Sequence, residues 1–284
     1  MKILRIYVVC CLLSLGVVMH AAAADSPLKP NSGLLRKNVY ESTLSPICRM
    51  GNKLSAGCAA IRNREIVDAT QMPWRAIGRV NFASTQVRSH CTGVLISSHV
   101  VLTAAHCLYN QPRKSWIPAQ SLRFVAGYQR GAATAVSAVV DYILDPVNDT
   151  QSRNFSSAVS QDWALLLLED PVGLEVGFLP LRQLSAEEWP NQKVVLAGYA
   201  GLREHVLSVA HDCGEARYRP NHATILHQCS AMSGDSGAPL LVTENGETKV
   251  IGVLSGVASS GLRNIGLSIP VASFVDALST KRSE

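Results

Sequence analysis

Residues 233–239 read Ser233-Gly234-Asp235-Ser236-Gly237-Ala238-Pro239, with one serine between two glycines and directly after an acidic residue. A serine hydroxyl becomes an effective nucleophile when a neighbouring base accepts its proton. Attack on a carbonyl carbon then creates an oxyanion, which the backbone N–H groups of Gly234 and Ser236 are suited to stabilise. Gly237 lacks a Cβ and is expected to permit close approach of a substrate. Ser236 is therefore a candidate nucleophile, although short runs of glycine and serine also form ordinary turns.

The sequence on both sides of this stretch predicts an all-β fold. From residue 73 onward, short runs rich in valine, isoleucine, leucine and threonine alternate with turns, as is typical of strands. Asn245-Gly246 separates two of these runs and is a strong hairpin signal. The runs fall into two groups without strand–helix alternation, which indicates two β-barrels or a sandwich.

The predicted strands are distributed along most of the chain, and only its end has a helical pattern. Apolar residues recur at helical spacing over about residues 270–279, after Pro270. Residues 171–190 are interpreted as a linking loop between the two groups of strands. The predicted strands cover residues 76–82, 92–97, 100–103, 122–126, 135–143, 163–168, 194–200, 224–227, 240–243 and 249–255.

The first 65 residues differ from the rest of the chain. Residues 1–24 are typical of a secretory signal peptide, because Lys2 and Arg5 precede an apolar stretch that ends in a run of small residues. The apolar stretch is short for a bilayer span, so we expect no membrane anchor after signal removal and a secreted or periplasmic protein. Residues 25–65 are interpreted as a pro-segment or N-terminal extension, with a disordered tail as the alternative. Residues 66–284 are expected to form the globular domain.

The charge is concentrated in the same amino-terminal region. Residues 1–65 carry nine lysines and arginines against three acidic residues, whereas the rest of the chain carries 17 against 18. The formal net charge of +5 is therefore not a property of the globular domain. A nucleic-acid-binding surface needs a clustered basic face, so nucleic acid is not expected as a partner.

Two further motifs supply a candidate base and an acid to orient it. Residues 103–107 read Thr-Ala-Ala-His-Cys, and residues 161–166 read Gln-Asp-Trp-Ala-Leu-Leu. His106 would accept the proton of Ser236, and Asp162 would hold the imidazole in the required tautomer. A lone histidine or aspartate is usually structural. The order His106, Asp162, Ser236, with gaps of 56 and 74 residues, is however that of chymotrypsin and not of subtilisin or the α/β-hydrolases.

On these three motifs the chain resembles the trypsin/chymotrypsin-like serine peptidases over roughly residues 73–278. Within them it is more similar to the bacterial branch that includes the glutamyl endopeptidases. The resemblance implies a fold of two antiparallel β-barrels, over about residues 73–172 and 190–270, with a C-terminal helix. It also implies a catalytic triad in the cleft between the barrels and protein or peptide substrates. No cofactor and no metal are expected.

Six cysteines follow the signal peptide, and an even number in an oxidising compartment favours disulfides. They are Cys48, Cys58, Cys91, Cys107, Cys213 and Cys229. The resemblance implies that Cys91 pairs with Cys107 beside the histidine, and Cys213 with Cys229 is the natural second pair. The first two cysteines are close enough in sequence to close a small loop. Cys213 and Cys229 each belong to a His-x-Cys unit, and two such units could instead bind zinc. An oxidising compartment disfavours this alternative.

The resemblance leaves the route of activation open. In trypsin-like zymogens an amino terminus released by cleavage pairs with the acid before the nucleophile, which is Asp235 here. Arg62, Arg64 and Glu65 precede Ile66, so a cleavage near Ile66 is a hypothesis. The usual glycines after such a start are absent, because Asp68 and Ala69 follow Val67. The sequence therefore does not establish that Ile66 reaches Asp235.

Substrate specificity is predicted from positions in the second barrel. Ser230, six residues before Ser236, corresponds to the floor of the pocket, where trypsins carry an aspartate. Leu254 corresponds to a histidine of the glutamyl endopeptidases. Ser255 and Gly256 are expected to line the pocket and to bind the substrate backbone as an added strand. We therefore expect a preference for an uncharged residue before the scissile bond.

Three functions are compatible with these observations. A secreted serine endopeptidase that acts through an acyl-enzyme is favoured by the three motifs together. A catalytically inactive, protease-like binding protein is the first alternative, and the intact set of three residues disfavours it. A secreted esterase or other acyl hydrolase is the second alternative, and the motif order and the β-rich sequence disfavour it.

Overall fold

The computed structural model describes residues 56–83, 88–156, 158–189, 192–260 and 263–280. The predicted signal peptide and residues 25–55 of the predicted extension, including Cys48, lie outside the described residues. Within the described part of the chain, no helix has the length and hydrophobicity that crossing a bilayer requires.

Antiparallel strands dominate the described residues, and the helices are short. In chain order the strands are β1 (Glu65–Ile66), β2 (Ile77–Ala83), β3 (Arg88–Leu95), β4 (Val100–Thr103), β5 (Tyr109–Asn110), β6 (Ser115–Trp116), β7 (Leu122–Ala126), β8 (Ala135–Leu144), β9 (Ala164–Leu168), β10 (Val195–Gly198), β11 (Ser208–Ala210), β12 (Arg217–Arg219), β13 (Thr224–His227), β14 (Pro239–Glu244), β15 (Glu247–Ser260) and β16 (Arg263–Pro270). The α-helices are α1 (Ala56–Arg62), α2 (Val172–Val176) and α3 (Val275–Thr280). Short 3-10 helices cover Trp74–Ala76, Ala105–Leu108, Ala119–Ser121, Val159–Gln161, Gly201–Arg203, Pro220–His222 and Val271–Ser273.

Six strands close into the first barrel in the order β2-β3-β4-β9-β8-β7. Strand β9 pairs with β4 on one side and with β8 on the other. Its residues Leu165 and Leu166 are both fully buried. The continuous apolar run in this part of the sequence is thus explained by burial on both faces.

Eight of the other strands form a second sheet in the order β1-β11-β10-β14-β15-β16-β13-β12, and β5 pairs only with β6. Asn245 and Gly246 form the turn between β14 and β15, and both have positive φ angles, 53° and 81°. A two-residue hairpin turn of this kind requires such angles, which asparagine and glycine adopt most readily. The predicted all-β architecture, with a short helix at the C-terminal end, is confirmed.

Some elements differ from the sequence prediction. Residues 171–190, expected to be a loop, contain α2, whose residues Val172 and Val176 lie one turn apart and are both buried. Strand β12 contains two arginines and lies at the edge of its sheet, where it pairs with β13. Its sequence has no apolar run, so its pairing partner and not its own pattern makes it a strand.

The amino-terminal part of the described chain packs against the second sheet. Strand β1 pairs with β11 at the edge of that sheet. In α1, Ile61 is fully buried and forms a small cluster with Ala200 and Met232. Residues 56–65, expected to be a loop-like part of the extension, are therefore ordered on the second sheet.

The C-terminal segment joins the two sheets. The ring centroid of Phe274, just before α3, lies 6.1 Å from that of Trp163 in the first barrel. Both side chains are almost fully buried in a hydrophobic cluster that includes residues of both sheets. This shared core holds the cleft in which the candidate site lies.

Candidate active site

Two neighbouring strands of the first barrel bring the candidate base and its acid together. Strands β4 and β9 are antiparallel, and Thr103 at the end of β4 pairs with Ala164 at the start of β9. His106 follows β4 in the 3-10 helix Ala105–Leu108, and Asp162 directly precedes the last residue before β9. The two side chains therefore emerge at the same end of the barrel.

Hydrogen bonds join His106 to Asp162. Nδ1 of His106 lies 2.8 Å from Oδ2 of Asp162, and the backbone N–H of His106 donates to Oδ1 over the same distance. An ionised carboxylate only accepts hydrogen bonds, so Nδ1 carries the proton and Nε2 is the unprotonated nitrogen of the neutral ring. A general base toward a hydroxyl requires this tautomer.

Ser255 supports the same carboxylate from the second sheet. It lies in β15, where the pairing with β16 shifts register between Leu254 and Gly256. A bulge of this kind redirects a side chain, and Oγ of Ser255 donates to Oδ2 of Asp162 over 2.6 Å. The contact is not predictable from the sequence, because no sequence pattern indicates the direction of a bulged side chain. Any substrate contact of Ser255 would therefore come from its backbone.

The nucleophile loop, residues 234–238, depends on its glycines. Gly234 and Gly237 have φ angles of 95° and 76°, which residues with a side chain rarely adopt. A Cβ on Gly237 would lie 2.1 Å from Oγ1 of Thr103 and 2.3 Å from the carbonyl oxygen of Thr92. Gly237 thus permits contact with the first barrel, which corrects the expectation that it faces a substrate.

Hydrogen bonds of the loop hold Ser236 between the two sheets. The backbone N–H of Thr92, in β3, donates to the carbonyl oxygen of Ser236 over 2.8 Å. On the other side, the residue after Ser236 donates its N–H to the carbonyl oxygen of Leu254. Ser236 itself is 3 % exposed. The loop therefore contacts both the first barrel and the bulge that supports Asp162.

A buried ion pair lies directly behind the nucleophile. Nη1 and Nη2 of Arg64 donate to Oδ1 and Oδ2 of Asp235, each over 2.9 Å. The exposed fractions of the two side chains are 1 % and 0 %. Nη2 of Arg64 also donates to the carbonyl oxygen of Ser230. This contact joins residues 171 positions apart, and the sequence around Arg64 predicts only a cleavage site and not a buried ion pair.

Two disulfides lie near these elements. Cys91 is joined to Cys107, next to His106, and Cys213 is joined to Cys229. The second disulfide contains both cysteines that the alternative zinc site would require. Neither Cys213 nor Cys229 is therefore a thiolate ligand. Cys58 is also disulfide-bonded.

The predicted pocket floor has an acidic neighbour. Oγ of Ser230 donates to Oδ2 of Asp212 over 2.7 Å, and its backbone N–H lies 3.4 Å from Oδ1. Asp212 is exposed and follows β11. The predicted preference rests on the neutral side chain of Ser230 alone and does not include this carboxylate.

Burial lowers the pKa of two further histidines. His227 is 1 % exposed, its Nε2 lies 2.9 Å from Oγ of Ser268, and burial lowers its pKa to about 4. His90 donates from Nε2 to the carbonyl oxygen of Tyr199 over 2.9 Å, and burial lowers its pKa as well. A Cβ on Gly234 would lie 2.8 Å from this Nε2, so His90 borders the nucleophile loop.

A closed antiparallel barrel, a second antiparallel sheet and a His–Asp pair beside a Gly-Asp-Ser-Gly loop are the features expected of a chymotrypsin-like fold. The model of the trypsin family matches residues 63–278, which is most of the chain. The chain therefore belongs to the trypsin family, and the predicted resemblance is confirmed.

Individual relatives are distant in sequence. Proclotting enzyme of Tachypleus tridentatus is 25% identical over 209 residues, which cover 64% of this chain and 56% of that protein. The chain thus spans about half the length of this curated relative. A Glu endopeptidase, solved in complex with MPD, superposes with a TM-score of 0.61 at 21% identity and covers 78% of this chain and 97% of its own. Protease Anisep from Arthrobacter nicotinovorans gives a TM-score of 0.57 at 18% identity, with 73% and 97% covered. These likenesses show the same fold.

Proposed function

We propose that the protein is a secreted serine endopeptidase that hydrolyses peptide bonds through an acyl-enzyme on Ser236. The observation that carries the proposal is the 2.8 Å hydrogen bond from Nδ1 of His106 to Asp162, which leaves Nε2 as the basic nitrogen of a ring near the nucleophile loop. Membership of the trypsin family supports it. Peptides and proteins are the proposed substrates.

The proposed reaction has two halves. In the first half, Nε2 of His106 accepts the hydroxyl proton of Ser236 while Oγ attacks the scissile carbonyl carbon. The N–H groups of Gly234 and Ser236 stabilise the oxyanion of the tetrahedral intermediate. His106 then protonates the leaving amine, and the acyl-enzyme forms. In the second half, His106 accepts a proton from a water molecule that attacks the acyl carbon. His106 then donates this proton to Oγ of Ser236 as the carboxylic acid product leaves, which restores the hydroxyl and the neutral imidazole.

Asp162 is proposed to stabilise the imidazolium that forms in each half. Its carboxylate is buried and accepts hydrogen bonds from His106 and from Ser255. These donors fix the carboxylate in one orientation before the reaction begins. Preorganised charge of this kind contributes more than charge that must reorient during the reaction.

The proposed substrate preference is an uncharged residue before the scissile bond. The neutral side chain of Ser230 at the pocket floor and the buried apolar side chain of Leu254 support this preference. The backbones of Ser255 and Gly256 are proposed to bind the substrate as an added strand. Digestion of a peptide library tests the preference. Cleavage mainly after lysine or arginine would contradict it and would implicate Asp212, which is hydrogen-bonded to Ser230.

A serine-directed fluorophosphonate separates the endopeptidase from its alternatives. Labelling of the wild-type protein, and none of the Ser236→Ala variant, is expected, together with cleavage of peptides. A protease-like binding protein would remain unlabelled. An esterase would be labelled at Ser236 and would hydrolyse simple esters while leaving peptides intact. Active proteases also cleave activated esters, so peptide cleavage is the deciding measurement.

Secretion and processing are part of the same proposal. Residues 1–24 are proposed as the signal peptide, and residues 25–65 as an N-terminal extension whose residues 56–65 stay joined to the domain that follows. Expression in a secreting host and sequencing of the amino terminus of the exported protein test both boundaries. A protein retained inside the cell with residue 1 intact would contradict the signal peptide.

A further inference from the structure

The segment just before Ile66 holds a charged side chain in the interior of the molecule. Both terminal nitrogens of Arg64 donate to the carboxylate of Asp235 over 2.9 Å, and water reaches neither side chain to any extent. The planar guanidinium group matches the two carboxylate oxygens, which makes this one of the stronger types of ion pair. Asp235 directly precedes Ser236.

The carboxylate of Asp235 is part of the turn that shapes the nucleophile loop. Its Oδ2 accepts a hydrogen bond from the backbone N–H of Met232 over 3.0 Å, and its own N–H donates to the carbonyl oxygen of Met232. A Cβ on Gly198 would lie 2.4 Å from Oδ1, so only glycine leaves room for the carboxylate at that point. The residues on either side of Asp235 carry the two N–H groups proposed for the oxyanion.

A buried carboxylate without a cationic partner is costly. Removal of one member of a buried ion pair costs about 3–5 kcal/mol, because the other charge is left without compensation. Without Arg64, the free energy of the protein is therefore lowered when the carboxylate of Asp235 turns toward water. Such a rotation moves the backbone of Gly234 and Ser236, and with it both oxyanion donors.

The rest of the amino-terminal segment fixes Arg64 in position. Ile61, three residues earlier, is fully buried against Met232 and Ala200. Ile66, two residues later, belongs to β1 and pairs with Ser208 of β11. Ile66 is 46 % exposed, whereas Arg64 is 5 % exposed. In the intact chain, the side chain of Arg64 thus occupies the position beside Asp235, while the backbone of Ile66 pairs with β11.

We propose that Arg64 is the positioning residue that orders the nucleophile loop, in place of an amino terminus released by cleavage. This inference rests on the proposed function, in which Ser236 is the nucleophile. The chain reaches its active conformation with the bonds between Arg64 and Ile66 intact. Processing that activates the protein lies before Arg64, and a cut between Arg64 and Ile66 separates the arginine from the domain that it orders.

The Arg64→Met variant of the full chain is the principal test, with Arg62→Met as the matched control on the exposed side of α1. Loss of oxyanion stabilisation is expected to lower kcat by about 100-fold or more. KM for a short peptide is expected to change less than kcat, because Arg64 does not touch the substrate. The control is expected to retain wild-type kcat. A folded Arg64→Met variant with wild-type kcat would overturn the inference.

Hydrogen–deuterium exchange supplies a readout that does not depend on activity. Arg64→Met is expected to raise deuterium uptake in residues 232–238, while the first barrel and the Arg62→Met control remain as in the wild type. Unchanged uptake in residues 232–238 would overturn the inference. A wild-type protein that is neither labelled by fluorophosphonate nor active on peptides, but shows the expected uptake in the variant, contradicts the proposed function alone.

Two further measurements test the inference, and the second of them uses wild-type protein and so does not depend on the folding of Arg64→Met. The losses of kcat in Arg64→Met and Asp235→Asn are expected not to add in the double variant, because either substitution breaks the same pair. Additive losses would overturn the inference. The amino terminus of wild-type protein that titrates fully with an active-site reagent is expected at or before Arg64. Full activity in protein that begins at Glu65, Ile66 or later would overturn it.

Discussion

The two halves of the candidate active site are held in place by different kinds of contact. The His106–Asp162 pair belongs to two adjacent strands of a closed barrel, so backbone pairing brings the side chains within 2.8 Å. The nucleophile loop is held by contacts from distant parts of the chain. Thr92 binds its backbone from the first barrel, and Arg64 binds Asp235 from the amino-terminal segment.

This difference indicates how each half responds to substitution. The geometry of the His–Asp half depends on many backbone hydrogen bonds, and no single side chain is needed to keep the strands paired. The order of the nucleophile loop depends on a few buried polar side chains, each of which leaves a partner unsatisfied when it is removed. Substitutions in the first half are therefore expected to affect chemistry more than structure.

The largest effect is expected from Ser236→Ala, which removes the nucleophile and leaves both supports of the loop in place. The rate constant kcat on a peptide substrate is expected to fall by about six orders of magnitude, as is found when the nucleophile of a triad is removed. The unfolding midpoint in urea is expected to stay close to that of the wild type. A fall of kcat by less than about 1000-fold would identify another residue as the nucleophile.

Asp162→Asn is expected to have the second largest effect, and it tests the His106–Asp162 pair. An asparagine preserves the shape of the side chain but favours the wrong tautomer of His106, and kcat is expected to fall by about 10⁴-fold. Asp149→Asn, on an exposed loop, serves as the control and should leave kcat unchanged. An equal kcat in wild type and Asp162→Asn would show that the pair does not act in the reaction.

His227, which is buried in the second sheet, predicts that the stability of the protein depends on pH. Burial lowers the pKa of His227 to about 4 in the folded protein, below the 6.5 of an unfolded chain. The unfolded state therefore binds more protons than the folded state between these values, and stability falls as the pH drops from about 6.5 to about 4. At 1.4 kcal/mol per pKa unit, this loss amounts to about 3 kcal/mol.

His227→Gln is expected to show a weaker loss of stability on acidification. The free energy of unfolding in urea at pH 7 and at pH 4.5 measures the effect, and His205→Gln, at an exposed site, is the control. A free energy difference between wild type and His227→Gln that is the same at both pH values would contradict the assignment of a neutral, buried His227.

The smallest effect is expected from Thr92→Val. This substitution removes the side-chain hydrogen bond between the first barrel and the nucleophile loop and leaves the Arg64–Asp235 ion pair intact. Oγ1 of Thr92 donates to the carbonyl oxygen of Gly234 over 2.8 Å and accepts from the N–H of Tyr199. Loss of both bonds in a fully buried position is expected to cost about 2 kcal/mol in the free energy of unfolding. Thr243→Val, on an exposed part of β14, should change this free energy by less than about 0.5 kcal/mol. Equal values for the two variants would show that the link does not stabilise the loop.

Much of the fold was predictable because its signals are local. The predicted bounds of β4, β7 and β13 agree with the structure, since each is a short apolar run between turns. The positive φ angles at Asn245 and Gly246 follow from the residue types alone. Strands β11 and β12 were not predicted, because they are short and are defined by their partners in the sheet. Strand β16 was missed although Ile265, Leu267 and Ile269 alternate with Gly266 and Ser268, which is the pattern of a strand.

The sequence by itself identified the family, the all-β class and the three candidate catalytic residues, because these depend on short motifs and on their order along the chain. Only the tertiary structure decided what supports them. Oγ of Ser255 reaches Asp162 across 93 positions, and Arg64 reaches Asp235 across 171. No local period encodes such pairs, since the direction of a bulged side chain and the meeting of two distant segments arise only when the sheets close and pack.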